Sequence, residues 1–141
     1  MNNGLRKIEL LAPAKNLECG IAAIDHGADA VYIGAAQFGA RQTAGNSTED
    51  IAELTRYAHQ FGAAVYVTVN TIVYEKELQA LEHLLRQLVE MGVDAILVQD
   101  MAVLEIYKKL KAEYMMRGYR MPALHASTQT DNRSADKVKW L

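Results

Sequence analysis

The sequence lacks the motifs that usually announce a chemical class of protein. Its single cysteine, Cys19, excludes an internal disulfide framework and is typical of a protein in a reducing cytosol. Neither H-E-x-x-H nor C-x-x-C occurs, so the sequence carries no metal-binding motif. The longest apolar runs have the length of a strand, and Met1 to Lys7 contains no signal-peptide core. We therefore expect a cytoplasmic protein without a membrane-spanning segment.

A strong charge of either sign is also missing. The 15 Lys and Arg residues stand against 17 Asp and Glu residues, which gives a formal net charge of -2. This balance provides no broad basic field for a nucleic acid, although a local basic patch stays compatible with it. The chain has 141 residues, of which 50% are hydrophobic, and this suffices for one domain with a sizeable core.

What the sequence does contain is an internal repeat. The segment Gly27–Gly34 reads GADAVYIG, and Gly92–Gln99 reads GVDAILVQ. Each copy follows an amphipathic helical stretch, and in each a glycine ends the helix and an aspartate turns the chain into a short apolar run. Such a run without polar alternation is typical of a strand buried on both faces of a parallel sheet.

Capping and turn residues divide the chain into alternating strands and helices. Asn16, and then Ser47 or Thr48, are suited to cap helices, whereas Gly62 and Gly92 are suited to end them. Pro13 and Asn16 predict a turn after the first strand. The predicted strands are Ile8–Ala12, Ala30–Ile33, Ala64–Val69, Ala95–Val98 and Ala123–His125. The predicted helices are Leu17–His26, one from Ser47 to near Phe61, Glu75–Met91, Ala102–Lys111 and one that starts at Ser134, with an irregular connection over Glu113–Met121.

These elements form five βα units, of which the fifth is incomplete, and two α/β architectures fit them. One is a doubly wound, flavodoxin-like sheet that is complete in itself. The other is a TIM barrel, which needs eight units and about 250 residues. We interpret residues 1–141 as the N-terminal part of a (β/α) TIM-barrel-like domain, with the later barrel units absent. An incomplete barrel leaves open edges, so we expect a homo-oligomer.

Polar side chains follow the predicted strands, and parallel strands place these positions at one mouth where barrel active sites lie. The guanidinium fork of Arg41 matches a carboxylate or phosphate of a small anionic metabolite or of RNA. A histidine that ends a strand can act as a base or a hydrogen-bond donor. The predicted catalytic residues are His125, Gln129 and Asn70, and the predicted substrate-binding residues are Arg41, Gln99, Ser127, Thr128 and Asp100.

Four of these residues also have a structural interpretation. A solvated loop residue is favoured for Arg41, and a helix N-cap is favoured for Asp100. For Asn70 a loop cap, and for His125 a tie between strand ends, is as compatible with the sequence as a functional role. Cys19 is predicted to pack within the first helix, away from the mouth. The segment Tyr114–Arg120 interleaves aromatic residues and arginines, which suits base stacking, but a plain surface loop on the opposite side of the sheet is favoured.

The chain resembles the peptidase U32, or collagenase-like, family. The segments that carry the resemblance are Leu10–Ala14, Gly27–Gly34, Phe38–Arg41, Tyr66–Thr71, Val98–Asp100 and His125–Gln129. Within the family, the sequence most resembles the branch that hydroxylates a cytidine of 23S ribosomal RNA. The segments that support this are Asn46–Leu54, Val98–Met101 and Ser134–Leu141.

This resemblance implies a TIM-like barrel and oxygen-independent hydroxylation of an RNA base, with prephenate as a co-substrate. It also implies an iron–sulfur cluster on four cysteines beyond the region present here. Ribosomal RNA is then the partner of the full-length protein. Hydroxylation of a tRNA uridine is an alternative, and the family name keeps a peptidase or collagenase-like protease as another. No G-x-S-x-G elbow and no acidic partner for His125 and Ser127 are apparent.

One prediction concerns iron. One cysteine cannot hold an iron–sulfur cluster, so the purified 141-residue chain should be colourless and without cluster absorbance in the visible range. A brown preparation with stoichiometric iron and sulfide would contradict this.

Overall fold

The computed structural model describes residues 8–39 and 45–140, with strands and helices in strict alternation. The strands are β1 (Leu11–Ala14), β2 (Ala30–Gly34), β3 (Ala64–Val69), β4 (Ala95–Val98) and β5 (Ala123–Ala126). The helices are α1 (Leu17–Asp25), α2 (Thr48–Gln60), α3 (Leu78–Met91), α4 (Met101–Met116) and α5 (Ala135–Trp140). Two 3-10 turns lie at Glu75–Glu77 and Thr128–Thr130.

All five strands are parallel, and their order in the sheet is their order along the chain, β1 to β5. A doubly wound sheet reverses its strand order at a switch point, and no reversal occurs here. Consecutive parallel strands with intervening helices are the arrangement of successive units in a (β/α) barrel. The predicted fold class is therefore confirmed as an open, partial TIM-barrel-like sheet, and β1 and β5 are its edges within the described residues.

The two faces of the sheet differ in burial. On one face, side chains such as Val31, Val67 and Ile96 are fully buried in the core, which α1 to α4 complete by packing side by side. On the other face, Tyr32, Tyr66 and Leu97 are only half-buried. The prediction of strands buried on both faces therefore holds at the starts of β2 and β4, where Ala30 and Ala95 on the second face are buried. It is wrong further along these strands, where Tyr32 and Leu97 are half-buried.

The predicted capping residues lie at the ends of their helices, although α3 begins at Leu78, after a 3-10 turn, and not at the predicted Glu75. The Asn16 side chain accepts a hydrogen bond from the Cys19 N–H, and Ser47 forms a reciprocal capping box with Asp50. Gly92 follows α3 in the left-handed conformation with φ 77°, which a residue with a Cβ rarely adopts. A Cβ on Gly20 would lie 2.7 Å from a Leu54 methyl carbon, so this glycine allows α1 to approach α2 closely.

The aspartates of the internal repeat have the same structural role in both copies. The Asp94 N–H donates to the Val65 carbonyl at 2.9 Å, and the Asp94 carboxylate accepts from the Val65 N–H at 2.9 Å. Asp29 exchanges the same two hydrogen bonds with Leu10, at 3.0 and 2.8 Å. The Asp94 carbonyl also accepts from the first residue of β5, Ala123, at 2.9 Å. Each aspartate therefore ties the start of its strand to a neighbouring strand.

The first strand and the fourth helix differ from the sequence prediction. Pro13 lies inside β1, paired with Tyr32, and not in a turn. An edge strand tolerates proline because the missing N–H is not needed for pairing. Helix α4 continues to Met116, beyond the predicted end at Lys111, because Tyr114 is buried in the core, where the residue is 1% exposed.

Replacement of Asp94 tests its role in strand pairing. Asp94→Ala leaves the partly buried Val65 N–H without its acceptor, so the free energy of unfolding should fall by about 1–3 kcal/mol. Asp94→Asn keeps an acceptor oxygen and should cost clearly less. Chemical denaturation of both variants measures the difference. Equal losses would show that the charge of the carboxylate, which faces His59 at 2.9 Å and Arg120 at 3.6 Å, carries the effect and not this hydrogen bond.

Candidate functional site

A cavity of about 620 Å³ opens at the carboxyl ends of the strands, on the half-buried face of the sheet. All five strands contribute to its wall, through residues such as Leu11, Tyr32, Thr68, Leu97 and Ala126. The polar residues that line it are Lys15, Cys19, Asn70, Ser127, Thr128 and Gln129. A second hollow of about 600 Å³ is lined by the exposed residues Tyr74, Glu75 and Lys76 alone, whereas all five strands line the first cavity, so we take the first cavity as the candidate site.

Asn70 and Ser127 join the ends of two strands that are not neighbours in the sheet. The Asn70 side-chain N–H donates to the Ser127 Oγ at 3.0 Å. The Asn70 main-chain N–H donates to the Phe38 carbonyl at 2.8 Å, which adds the loop after β2. Phe38 is buried and has a left-handed φ of 64°, an uncommon conformation for a residue with a side chain. Asn70 thus holds three segments of the mouth together.

Ser127 is the most tightly held residue of the site, with 2% of its surface exposed. Its N–H donates to the Val98 carbonyl at 2.8 Å, and its carbonyl accepts from the Thr130 N–H at 3.0 Å. The Thr130 hydroxyl and the Asn132 side-chain N–H donate to the same carbonyl, at 2.6 and 3.1 Å. Its Oγ caps the following turn by accepting from the Gln129 N–H at 3.2 Å.

His125 lies on β5 beside the site without lining the cavity. Its exposed ring packs edge-on against Tyr66, with the ring centroids 5.1 Å apart. The Tyr66 hydroxyl donates to a Glu9 carboxylate oxygen at 2.8 Å. The structural interpretation of His125, a contact that links two strands, is therefore observed. Its catalytic role stays a prediction.

Asp100 and Gln99 follow β4. Asp100 is the N-cap of α4, since its carboxylate accepts from the Ala102 N–H at 2.9 Å and also from the Val73 N–H at 3.0 Å. Gln99 is half-buried and does not line the cavity. Asp100 therefore has the structural role that its position favoured, while substrate binding by either residue stays a prediction.

The remaining predicted site residues divide into two groups. Thr128 and Gln129 are exposed and line the cavity beside Ser127. Arg41 lies outside the described residues. The structure therefore brings Asn70, Ser127, Thr128 and Gln129 to one cavity, and their chemical roles stay predictions.

Two residues near the mouth were missed or misjudged from the sequence. Asn46 is 5% exposed, and its side-chain N–H groups donate to the carbonyls of Gly34 at 2.9 Å and Lys15 at 3.2 Å, which ties the ends of β1 and β2. An asparagine directly before the Ser47 cap was the only available signal. Cys19 was predicted to pack away from the mouth, but it is exposed and lines the cavity. It occupies the first turn of α1, and this turn follows the carboxyl end of β1.

Comparison with known proteins identifies the family of this chain. The family model described as Peptidase family U32 matches residues 15–141. The chain belongs to peptidase family U32.

Several relatives of this U32 chain carry names that refer to RNA. It is 46% identical over 137 residues to the 23S rRNA 5-hydroxycytidine synthase of Escherichia coli, a match that covers 96% of the chain. It is 41% identical over 106 residues to tRNA hydroxylation protein P1 of Bacillus subtilis, which covers 74% of the chain. An uncharacterized protease of Methanocaldococcus jannaschii is 40% identical over 134 residues and covers 94% of it. The matched regions span 19%, 25% and 30% of these three proteins, respectively.

The U32 chain offers no metal centre among the residues that the structure describes. No group of three or more His, Cys, Asp or Glu side chains is placed to hold a metal ion there. In the same residues, no helix combines the length and apolar character needed to cross a bilayer.

The aromatic segment on the far side of the sheet is not a free stacking surface. The Tyr114 ring is buried, and it meets Tyr119 edge-on with the centroids 5.3 Å apart. The Arg117 guanidinium lies 4.8 Å from the Tyr114 centroid and 5.2 Å from that of Tyr119. These contacts use the rings within the fold. The favoured prediction of a plain surface loop is nevertheless wrong for Tyr114, which lies in the last turn of α4 and is buried in the core.

The phenol of Tyr66 should lose its proton at an unusually high pH. Burial and the hydrogen bond to the Glu9 carboxylate raise the pKa of Tyr66 to about 12. The unfolded chain loses this proton near pH 10 while the folded chain keeps it, so stability that is present below about pH 10 is lost as the pH rises to about 12. Ultraviolet difference titration of wild type against Tyr66→Phe measures this pKa. Glu9→Gln should lower it, and a Tyr66 that ionises near pH 10 would refute the assignment.

Proposed function

We propose that this chain is part of an RNA-modifying enzyme that hydroxylates a cytidine of 23S ribosomal RNA to 5-hydroxycytidine. The observation that carries the proposal is the 46% identity to the Escherichia coli 23S rRNA 5-hydroxycytidine synthase across 96% of this chain. The described residues that line the cavity lie between Leu11 and Gln129, and a match that covers 96% of the chain includes them. The cell compartment that suits this substrate is the cytoplasm.

The cavity has features that suit a pyrimidine base turned out of its stack. Its walls include apolar and aromatic side chains from the strands, and its rim carries neutral amides and hydroxyls from Asn70, Ser127, Thr128 and Gln129. Among the described lining residues, Lys15 is the one with a permanent charge, and no carboxylate is present to repel RNA. Enzymes that act on a base commonly read it by hydrogen bonds to its edge and by packing on its face.

Hydroxylation of a tRNA uridine is a second candidate, because a relative of 41% identity is named as a tRNA hydroxylation protein. Cytidine and uridine share the O2 carbonyl and differ at N3 and at the exocyclic group on C4. The exposed Gln129 amide offers both a donor and an acceptor, so it is able to match either base. The choice between the two RNAs therefore depends on contacts outside this cavity.

A peptidase is the third candidate, on the strength of relatives that are named as proteases. A serine protease needs a base that removes the proton of the nucleophile. In the part of the chain that the structure describes, the side chain that bonds the Ser127 Oγ is the Asn70 amide, and His125 packs on Tyr66 instead. Among the described residues, the arrangement expected of a catalytic serine is missing, which favours the RNA hydroxylase.

Two further components belong to the proposal. Prephenate would be the co-substrate, and the cavity has the volume for a small anionic metabolite beside Lys15. An iron–sulfur cluster would belong to the longer protein. The residues present here do not fit such a cluster, since the chain has one cysteine and the described residues form no metal-ligand group.

Expression in cells that lack 5-hydroxycytidine tests the function and the anion site together. The full-length protein should restore the modification in 23S rRNA, as measured by mass spectrometry of rRNA and tRNA digests. Arg41→Ala should abolish the modification while the melting temperature stays within about 1 °C, because a guanidinium that only grips a ligand adds little to folding. Arg56→Ala, which removes an exposed arginine from α2, is the matched control and should keep full activity.

The outcomes separate the candidates. Modification of tRNA without rRNA would favour the tRNA enzyme, and cleavage of a protein substrate with no RNA product would favour the peptidase. An Arg41→Ala variant as stable and as active as wild type would show that the proposed anion site is wrong.

A further inference from the structure

We propose that Ser127 recognises its substrate as a directional hydrogen-bond donor, and that Asn70 is the positioning residue that aims its hydroxyl proton into the cavity. This inference deepens the proposed function, on which the identity of the substrate rests. The acceptor that Ser127 would meet is a carbonyl oxygen, of which the O2 of a pyrimidine is the example that cytidine and uridine share.

The argument starts from the hydrogen-bonding capacity of a hydroxyl group. A serine hydroxyl accepts two hydrogen bonds and donates one. Both acceptor positions of Ser127 are used, by the Asn70 side-chain N–H at 3.0 Å and by the Gln129 main-chain N–H at 3.2 Å. No acceptor for the hydroxyl proton is found among the described residues. Since Ser127 lines the cavity, the direction left for the proton is the one towards a bound ligand.

The orientation is fixed because the rest of the residue cannot move. The main chain of Ser127 is bonded on both sides, to Val98 through its N–H and to Thr130 and Asn132 through its carbonyl. The residue is 2% exposed, so rotation of its side chain would break both hydrogen bonds to its Oγ. A buried donor of fixed direction discriminates strongly between ligands with and without an acceptor at that point.

The donor role also argues against a nucleophilic role for Ser127. A nucleophile needs a free lone pair directed at the reacting carbon and a base that takes its proton. Here both lone pairs face N–H donors. Neither donor is able to accept the proton through the nitrogen that faces Ser127.

Two substitutions of Asn70 test whether this residue directs the Ser127 hydroxyl proton into the cavity. Asn70→Asp puts an acceptor where the N–H was, so the Ser127 proton turns away from the cavity. The ratio kcat/KM for hydroxylation of the RNA should then fall about tenfold or more, as in Ser127→Ala. Asn70→Ala removes a bond to Ser127 without capturing its proton, so kcat/KM should fall only about twofold to threefold. Thr128→Asp adds the same charge to the cavity rim and should lose less than Asn70→Asp.

A purely structural Asn70 would give the opposite order. The near-isosteric Asn70→Asp would then be the milder change, and Asn70→Ala, which leaves a void, the more damaging one. Melting temperatures of both variants, measured beside kcat/KM, show whether activity merely follows stability. If it does, the proposal is overturned.

A second readout needs no RNA and no activity. In a Cys19→Ser background, Ser127→Cys places a thiol between the same two donors, and N–H groups directed at sulfur favour the thiolate. Thiolate absorbance, measured against pH, should give the lowest pKa of the Ser127→Cys thiol with Asn70 retained. The pKa should be higher with Asn70→Ala and highest with Asn70→Asp. An unchanged pKa across the three would overturn the assignment of Asn70.

The two readouts separate failure of the inference from failure of the proposed function. The predicted thiol order in a protein that hydroxylates no RNA would leave the donor geometry intact and remove the proposed function. Hydroxylation of RNA with Asn70→Ala worse than Asn70→Asp would retain the function and remove the inference.

Discussion

The whole site depends on a reciprocal hydrogen-bond pair at the start of the strands. Asp29 and Asp94 each exchange two hydrogen bonds with a main-chain residue of the preceding strand region, Leu10 and Val65. A one-residue slip in a strand would turn its core side chains to the opposite face. By holding the register at the amino ends, the two aspartates decide which side chains arrive together at the carboxyl ends, about four to six residues later.

At the carboxyl ends of the strands, the polar side chains have two roles: some stabilise the main chain, and others face the cavity. Asn46 and Asp100 bond main-chain groups at the ends of the strands and in the segments that follow them, which stabilises the fold. Asn70 and Ser127 satisfy each other across the mouth but leave a hydroxyl proton without a partner in the described structure. This arrangement suits ligand recognition better than stability. Buried donors in folded proteins are normally hydrogen-bonded, so a hydroxyl proton without an acceptor in the described structure favours a ligand as its acceptor.

The sequence predicted much of this, for identifiable reasons. Helix caps at Asn16 and Ser47 and the left-handed Gly92 act within a few residues, so their patterns are local and readable. The predictions failed where a distant contact overrides a local signal. Pro13 joins β1 because its partner is Tyr32, and α4 extends to Met116 because Tyr114 finds the core. Cys19 was misplaced because helical periodicity does not tell which end of a helix faces a cavity.

The sequence by itself determined the alternation of strands and helices, the family, and the group of polar residues that follow the strands. Those features depend on hydrophobic period, on caps and on motifs, all of which are short in range. Only the tertiary structure decided which of the polar residues meet. Asn70 and Ser127 are 57 residues apart, and the bond between them depends on the register of β3, β4 and β5. The same residues in a reordered sheet would not share a cavity.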